Sequence, residues 1–269
     1  MNIRSRQPLA GGDISRVERV ELADGRTAVL KTRAAAPADF FAAEAHGLNW
    51  LRKPGALRLP EVLDVGPGHL LLEWLAPQPP GSDFAEKLGR ALAELHRFPV
   101  GPAPGLERDN YIGSLPQSNQ PVPGWSEFYA RRRLQPLMEK AVSEQLAPAS
   151  WLSRLERLAG RLPHWLPEQP LSCLHGDLWS GNLLVGPQGQ PCLIDPAVYV
   201  GDREVDLAMM RLFGGFSERV FSAYQEVLSL APGWEERVPL YQLYPLLVHL
   251  LLFGGGYRGA VERALQALP

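Results

Sequence analysis

His175-Gly176-Asp177-Leu178-Trp179-Ser180-Gly181-Asn182 is followed by Leu183-Leu184-Val185, the turn Pro187-Gln188-Gly189-Gln190, and then Cys192-Leu193-Ile194-Asp195. Leu171-Ser172-Cys173-Leu174 precedes the stretch as an apolar run. The pattern predicts a strand, a polar loop, a second strand, a turn and a third strand. It places Asp177 in the loop, Asn182 five residues later and Asp195 at the end of the last strand. That order suits phosphoryl transfer, which asks the protein for position and charge rather than covalent chemistry. One carboxylate must reach the attacking hydroxyl, and a second carboxylate and an amide oxygen must hold a divalent cation against the phosphates. Asp177 fits the first task as catalytic base, and Asn182 and Asp195 fit the second as ligands of Mg2+. Turn and capping roles would explain any one of them alone; the ordered set points to a kinase.

Upstream, residues 17–22 alternate in polarity and end in Ala23-Asp24-Gly25, a hairpin signal, with 27–32 as the returning strand. Lys31 sits in that strand beside Val29 and Leu30, where an ammonium requires a fixed anionic partner. The helix expected over 39–53 supplies one. Phe40, Gly47, Leu48 and Leu51 share its apolar face, and Glu44 lies on that face, four residues from Phe40 and from Leu48. A Lys31–Glu44 pair would aim the ammonium at the phosphates of ATP. Gly11-Gly12-Asp13 precedes the first strand of the hairpin and could lend backbone N–H groups to phosphate, although a plain tight turn explains it as well. Strands are expected over 59–65 and 69–74. The run Ala76-Pro77-Gln78-Pro79-Pro80-Gly81 then ends both helix and sheet and reads as a stiff linker. By position beside this linker, Glu73 and Leu75 would offer backbone groups to adenine.

Beyond the linker, Phe84, Leu88, Leu92, Leu95 and Phe98 recur at helical spacing, and His96, one position off that stripe, reads as surface. Residues 99–124, rich in Pro, Gly and Asn, read as irregular. Helices are expected over 125–139, 149–162, 205–213 and 217–228, and from 241 onward. The layout is α+β: a small strand-rich lobe (1–75), a linker (76–81) and a larger, mainly helical lobe (82–269), with the chemistry in the cleft between. His249 reads as a core histidine, and Arg131-Arg132-Arg133 as a solvated helix face.

Composition narrows the class. With 269 residues the chain can bury one large core or two, and 45% apolar and 21% charged residues are ordinary for a globular enzyme. A net charge of −2 gives no field that would draw nucleic acid or an anionic membrane. The longest apolar run, 243–253, falls short of the roughly 20 residues that span a bilayer, and residues 1–6 lack the apolar stretch of a signal peptide. Cys173 and Cys192, the two cysteines, stand in apolar runs with no CxxC spacing. They read as reduced, buried thiols of a cytoplasmic protein.

The His-x-Asp with Asn five residues on, then the strand-end Asp, resembles the protein-kinase catalytic set. More particular are Asp109-Asn110-Tyr111-Ile112-Gly113 with Pro116-Gln117 and Asn119, Trp179 inside the loop, and Gly201-Asp202-Arg203-Glu204-Val205-Asp206-Leu207-Ala208-Met209 with Leu212-Phe213-Gly214-Gly215-Phe216. With Pro8-Leu9-Ala10-Gly11-Gly12-Asp13-Ile14, Trp125 and Phe128, these run the length of the chain and resemble the fructosamine kinases, relatives of the aminoglycoside and choline kinases. The resemblance implies a bilobal protein-kinase-like fold with an antiparallel-sheet lobe. It implies ATP- and Mg2+-dependent phosphorylation of the 3-hydroxyl of a ketosamine, either a small molecule or a glycated protein, linked to deglycation. It places Trp179 against the sugar, and makes Asp202, Glu204 and Asp206 braces of the catalytic loop. A kinase for another amino alcohol and a nucleotide-binding pseudokinase are the alternatives. Some family members carry a cysteine in the glycine-rich loop; this chain has Asp13 there.

Overall fold

A computed structural model describes residues 2–9 and 14–269. Its first part is a five-stranded antiparallel sheet of β1 (Ile3–Pro8), β2 (Arg16–Leu22), β3 (Thr27–Thr32), β4 (Val62–Gly66) and β5 (His69–Glu73), in the order β1-β2-β3-β5-β4. β3 is central, and Lys31 stands opposite Val17 on one side and Leu70 on the other. The period of two divides the side chains between two faces. Ala28 and Leu30 join Val20, Leu22 and Leu71 in a small core, while Val29, Leu70 and Leu72 join the larger core that includes the helix α1 (Phe40–Arg52). Lys31 shares the second face.

Phe40, Phe41, Leu48 and Leu51 bury the inner side of α1. The helix also approaches the far half of the chain. A Cβ on Gly47 would lie 3.3 Å from Val198, so α1 packs directly beside the segment that follows Asp195.

After the linker come α2 (Phe84–Arg97), a hairpin of β6 (Asn110–Ile112) and β7 (Leu115–Gln117), and a helical run from Trp125 to Ser143. That run divides into α3 (Trp125–Phe128), a π-helical stretch (Tyr129–Leu134) and α4 (Gln135–Ser143). Next come α5 (Ser150–Trp165), β8 (Ser172–Leu174), β9 (Leu183–Val185), β10 (Pro191–Leu193), β11 (Tyr199–Gly201), α6 (Glu204–Leu212), α7 (Glu218–Val227), α8 (Trp234–Phe253) and α9 (Arg258–Gln266). β9 pairs with β10, as the turn at 187–190 requires. β8 instead pairs with β11, which the sequence did not reveal. The loop 175–182 therefore leaves one two-stranded ribbon and enters another, both anchored in the core.

Phe128, Leu134, Met138, Trp151, Leu155, Tyr241, Leu247 and Leu250 belong to the main core of this part. α8 is apolar around most of its surface and is correspondingly buried. No helix among the described residues is long and apolar enough to cross a membrane. Cys173 and Cys192 are buried free thiols. The hairpin β6–β7 corrects the irregular reading of 99–124: strands of three residues are too short to show a period of two.

Candidate active site

β3 and α1 bring Lys31 Nζ to 2.6 Å from Glu44 Oε1, the pair expected from helical spacing. The same ammonium also lies 2.6 Å from Asp195 Oδ1, which is 164 residues away in sequence. Burial disfavours the ammonium, but the charges and hydrogen bonds of Asp195 and Glu44 more than offset it, so its pKa is raised above the ordinary lysine value. Glu44 is shifted up, burial outweighing Lys31, with the Asp195 charge adding to the shift. Asp195 has the left-handed backbone angle φ 55°, rare for an L-residue. This turn directs the chain from β10 back toward His175, where the Ala197 N–H donates to the His175 carbonyl.

The loop is held from beneath. Gly176 has φ 81°, and a Cβ there would lie 2.1 Å from the Ala197 carbonyl oxygen, so only glycine fits. Asp206, at the start of α6, accepts the N–H of His175 (2.8 Å) and of Gly176 (2.9 Å) through its two oxygens. His96 Nε2 lies 3.2 Å from Asp206, and its Nδ1 2.8 Å from the Tyr224 hydroxyl. His96 is buried, which corrects its surface reading: it belongs to a polar cluster enclosed by the apolar stripe of α2. Burial alone would raise the Asp206 pKa, but the His96 bond, the His96 and His175 charges and the Gly176 N–H lower it. Of the other two acids, Glu204 makes a two-pronged pair with Arg237 (2.8 and 2.6 Å), and Asp202 accepts the Tyr241 hydroxyl (2.9 Å) and the Gln169 amide (2.7 Å).

Within the loop, Asn182 Nδ2 donates to the Asp177 carbonyl (2.8 Å) and to Asp177 Oδ2 (3.0 Å). This fixes the amide so that Asn182 Oδ1 has no donor among the described residues. Burial pushes the Asp177 carboxyl up to about 7; the Asn182 bond opposes this, and the charges of Asp195 and Asp206 add to it. A carboxyl so shifted can exchange a proton near neutrality, the property that a general base would need. Asn182 Oδ1 and Asp195 Oδ2 are oxygen donors free of protein cations. Two such ligands suit Mg2+, which takes one or two carboxylates and completes its shell with water and phosphate. The donor set thus fits the ion without the three-carboxylate or histidine cluster that is absent among the described residues.

A ladder of buried amides supports the segment after Asp195. Asn110 Nδ2 donates to the Val198 carbonyl (2.8 Å), and Gln117 Nε2 to the Ala197 carbonyl (3.1 Å) and Asn110 Oδ1 (2.8 Å). Asn119 Nδ2 also reaches Asn110 Oδ1 (3.1 Å), while the Tyr244 hydroxyl donates to Gln117 Oε1 (2.5 Å). Arg133 closes the ladder by donating to Asn119 Oδ1 (2.7 Å) and the Ser118 carbonyl (2.6 Å). Its guanidinium lies 3.9 Å from the Tyr199 ring centroid and 4.6 Å from that of Phe128. Arg133 is therefore buried, not part of a solvated face; of the run, Arg131 does lie in solvent. The ladder accounts for Asn110, Gln117 and Asn119, which the sequence singled out without a role. Gln117→Leu strands the buried Tyr244 hydroxyl and the Ala197 carbonyl, while Asn110 Oδ1 keeps its Asn119 donor, and is expected to cost about 2–4 kcal/mol. A urea-unfolding midpoint within error of wild type would contradict that.

Lys31, Glu44, Asp177, Trp179, Asn182 and Asp195 all line one cavity of about 910 Å³ between the sheet and the helices. Glu73 and Leu75 line it as well, with the Glu73 side chain turned to Arg58. Gly11 and Gly12 lie outside the described residues. Trp179 is 39% exposed and rests on Gly181, where a Cβ would lie 2.2 Å from the ring. The sequence did not reveal two features of the lining. Tyr111, on β6, donates its hydroxyl to Asp39 Oδ1 (2.7 Å) at the start of α1, so the hairpin grips both sides of the cavity. Burial, then the Asp39 bond and charge, push the Tyr111 hydroxyl up to about 12, so it remains a donor. His249 is half-buried in the cavity wall among Phe213, Phe253 and Tyr257, not enclosed in the core.

A small antiparallel sheet over a helical part, with lysine, acid, amide and acid converging between them, defines a protein-kinase-like fold. A choline kinase of Streptococcus pneumoniae superposes with a TM-score of 0.64 at 16% identity over 99% of this chain and 94% of its own, which concerns fold alone. The sequence profile of fructosamine kinase matches residues 1–268. A probable ketoamine kinase of Thermus thermophilus is 41% identical over 97% of this chain and 92% of its own length. A solved Thermobifida fusca structure, provisionally named a fructosamine-3-kinase, superposes with a TM-score of 0.90 at 38% identity, covering 98% of this chain and 93% of that one. The chain belongs to the fructosamine kinase family.

Proposed function

We propose that the protein transfers the γ-phosphoryl group of ATP to the 3-hydroxyl of a ketosamine. The observation that carries this reading is the convergence of Lys31, Asp177, Asn182 and Asp195 on one cavity in a chain of this family. Adenine would lie at the strand end formed by Glu73 and Leu75, with its phosphates against the Lys31 ammonium. Mg2+, held by Asn182 Oδ1 and Asp195, would supply the positive charge that offsets the phosphates. Asp177 Oδ1 accepts the proton as the sugar oxygen bonds to the γ-phosphorus and the bond to the β-phosphate oxygen breaks, leaving ADP. Trp179 covers the sugar face. Ketosamines borne by small molecules and by protein lysines are both candidate acceptors, and the instability of the 3-phosphate would link the reaction to deglycation.

ADP release should be measured with fructosyl-lysine, ribulosyl-lysine, choline and an aminoglycoside, each against an acceptor-free control. The expected result is acceptor-dependent turnover with the ketosamines alone. Turnover confined to choline or the aminoglycoside, or none with any acceptor, would overturn the proposal.

A further inference from the structure

Among the described residues, the exposed large apolar side chains are Val65, Trp179, Phe213 and Phe253, and the last three border the cavity. Phe213 follows α6, Phe253 ends α8, and Tyr257 stands on the turn that leads to α9. Together with His249 they form a continuous aromatic wall. Ring centroids lie 6.3 Å apart for Trp179–Phe213, 4.7 Å for Phe213–His249, 5.4 Å for His249–Phe253 and 5.1 Å for His249–Tyr257. An aromatic surface left in water next to a reaction centre marks a ligand contact.

The acids of the cavity are already engaged. Glu44 and Asp195 hold Lys31, Glu73 holds Arg58, and Asp177 is bonded to Asn182 and reserved for the hydroxyl proton. Asp195 Oδ2 is left for Mg2+, so among the described lining residues no further carboxylate is set aside for the amine of an acceptor. His249 Nδ1 lies 2.7 Å from the Pro245 carbonyl and must donate to it. That tautomer leaves Nε2 as a lone pair, and the ring is neutral, burial holding its pKa below the usual histidine value. The wall therefore presents π-faces and one lone pair, and no positive charge.

A ketosamine differs from a plain ketose by its amine, which is protonated near neutral pH. We propose that Phe213, His249, Phe253 and Tyr257 form the subsite for this ammonium and the aliphatic chain it carries, holding the charge on ring faces instead of on a carboxylate. The inference rests on the ketosamine reading above and adds the group by which such an acceptor is told from a neutral sugar.

The test compares 1-butylamino-1-deoxyfructose with its neutral ether counterpart, 1-O-butylfructose, as acceptors for the full-length protein. The readout is the ratio of their kcat/KM values. Wild type is expected to favour the amine by about 5–30-fold. In the Phe253→Leu/Tyr257→Leu double variant, which keeps apolar bulk and removes two of the four rings, the ratio should fall by about threefold or more. Phe253→Leu alone, at a side chain 49% exposed, carries the same ratio test should the double variant melt below the assay temperature. Equal use of amine and ether by wild type, or an unchanged ratio in the variants, overturns the subsite and leaves the ketosamine reading standing. Phosphorylation of neither compound overturns both.

Discussion

Asp177→Asn is expected to lower kcat by about 10²–10⁴-fold while the fold and nucleotide binding persist. The loss is specific to proton transfer because the substitution keeps the shape and both partners of the loop. Asn182 can still donate to residue 177, and the backbone beneath stays fixed by Asp206. The stability argument has the opposite sign. A buried carboxyl whose pKa is raised to about 7 disfavours the folded state once the pH exceeds the ordinary Asp value, because the unfolded chain then ionises more readily. The neutral Asn removes that penalty. The thermal midpoint of the variant in mildly alkaline buffer should therefore equal or exceed that of wild type. Activity within about tenfold of wild type would remove Asp177 from the role of base.

Lys31→Met should cut kcat/KM by about 10²–10³-fold, since it deletes the cation proposed to face the phosphates. It should also destabilise the fold by about 3 kcal/mol, because Glu44 then keeps its burial without its partner. The raised pKa of Lys31 means that its contribution to stability is complete below the ordinary lysine pKa and fades only as pH rises through the folded value, so it acts in full near neutrality. Adding Glu44→Leu to Lys31→Met separates the two effects. The double variant should regain most of the stability in urea and none of the activity, since the phosphates still lack their cation. Recovery of turnover with stability would show that Lys31 serves the fold alone.

The grouping of the candidate site was legible because its spacing is local. Asp177, Asn182 and Asp195 lie within one strand–loop–strand–turn–strand passage, and Glu44 falls on a helical stripe that a period of 3.6 makes visible. What escaped depends on distance in sequence or on side chains replacing backbone order. The Lys31–Asp195 contact joins β3 to the end of β10, and no periodicity carries such information. His96 departs from its apolar stripe because its partner is a buried acid 110 residues away. Arg133 stands in a run of like charges, yet the π-helical stretch turns it inward against Tyr199 and Phe128, where aromatic rings and amide oxygens replace a carboxylate. Residues 99–124 look like loop by composition. Their Asn and Gln side chains nonetheless hydrogen-bond the carbonyls of 197 and 198, which ties the hairpin to the segment after Asp195. His249 lies in an apolar run of α8, and hydrophobic pattern alone does not distinguish a core face from a cavity wall.

Phosphorus NMR of the product formed from ATP, Mg2+ and fructosyl-lysine tests the proposed chemistry most directly. A new phosphate-ester resonance coupled to the proton on carbon 3 of the sugar, appearing in step with ADP, is the predicted result. Inorganic phosphate as the only new signal, or an ester on any other sugar oxygen, would contradict it.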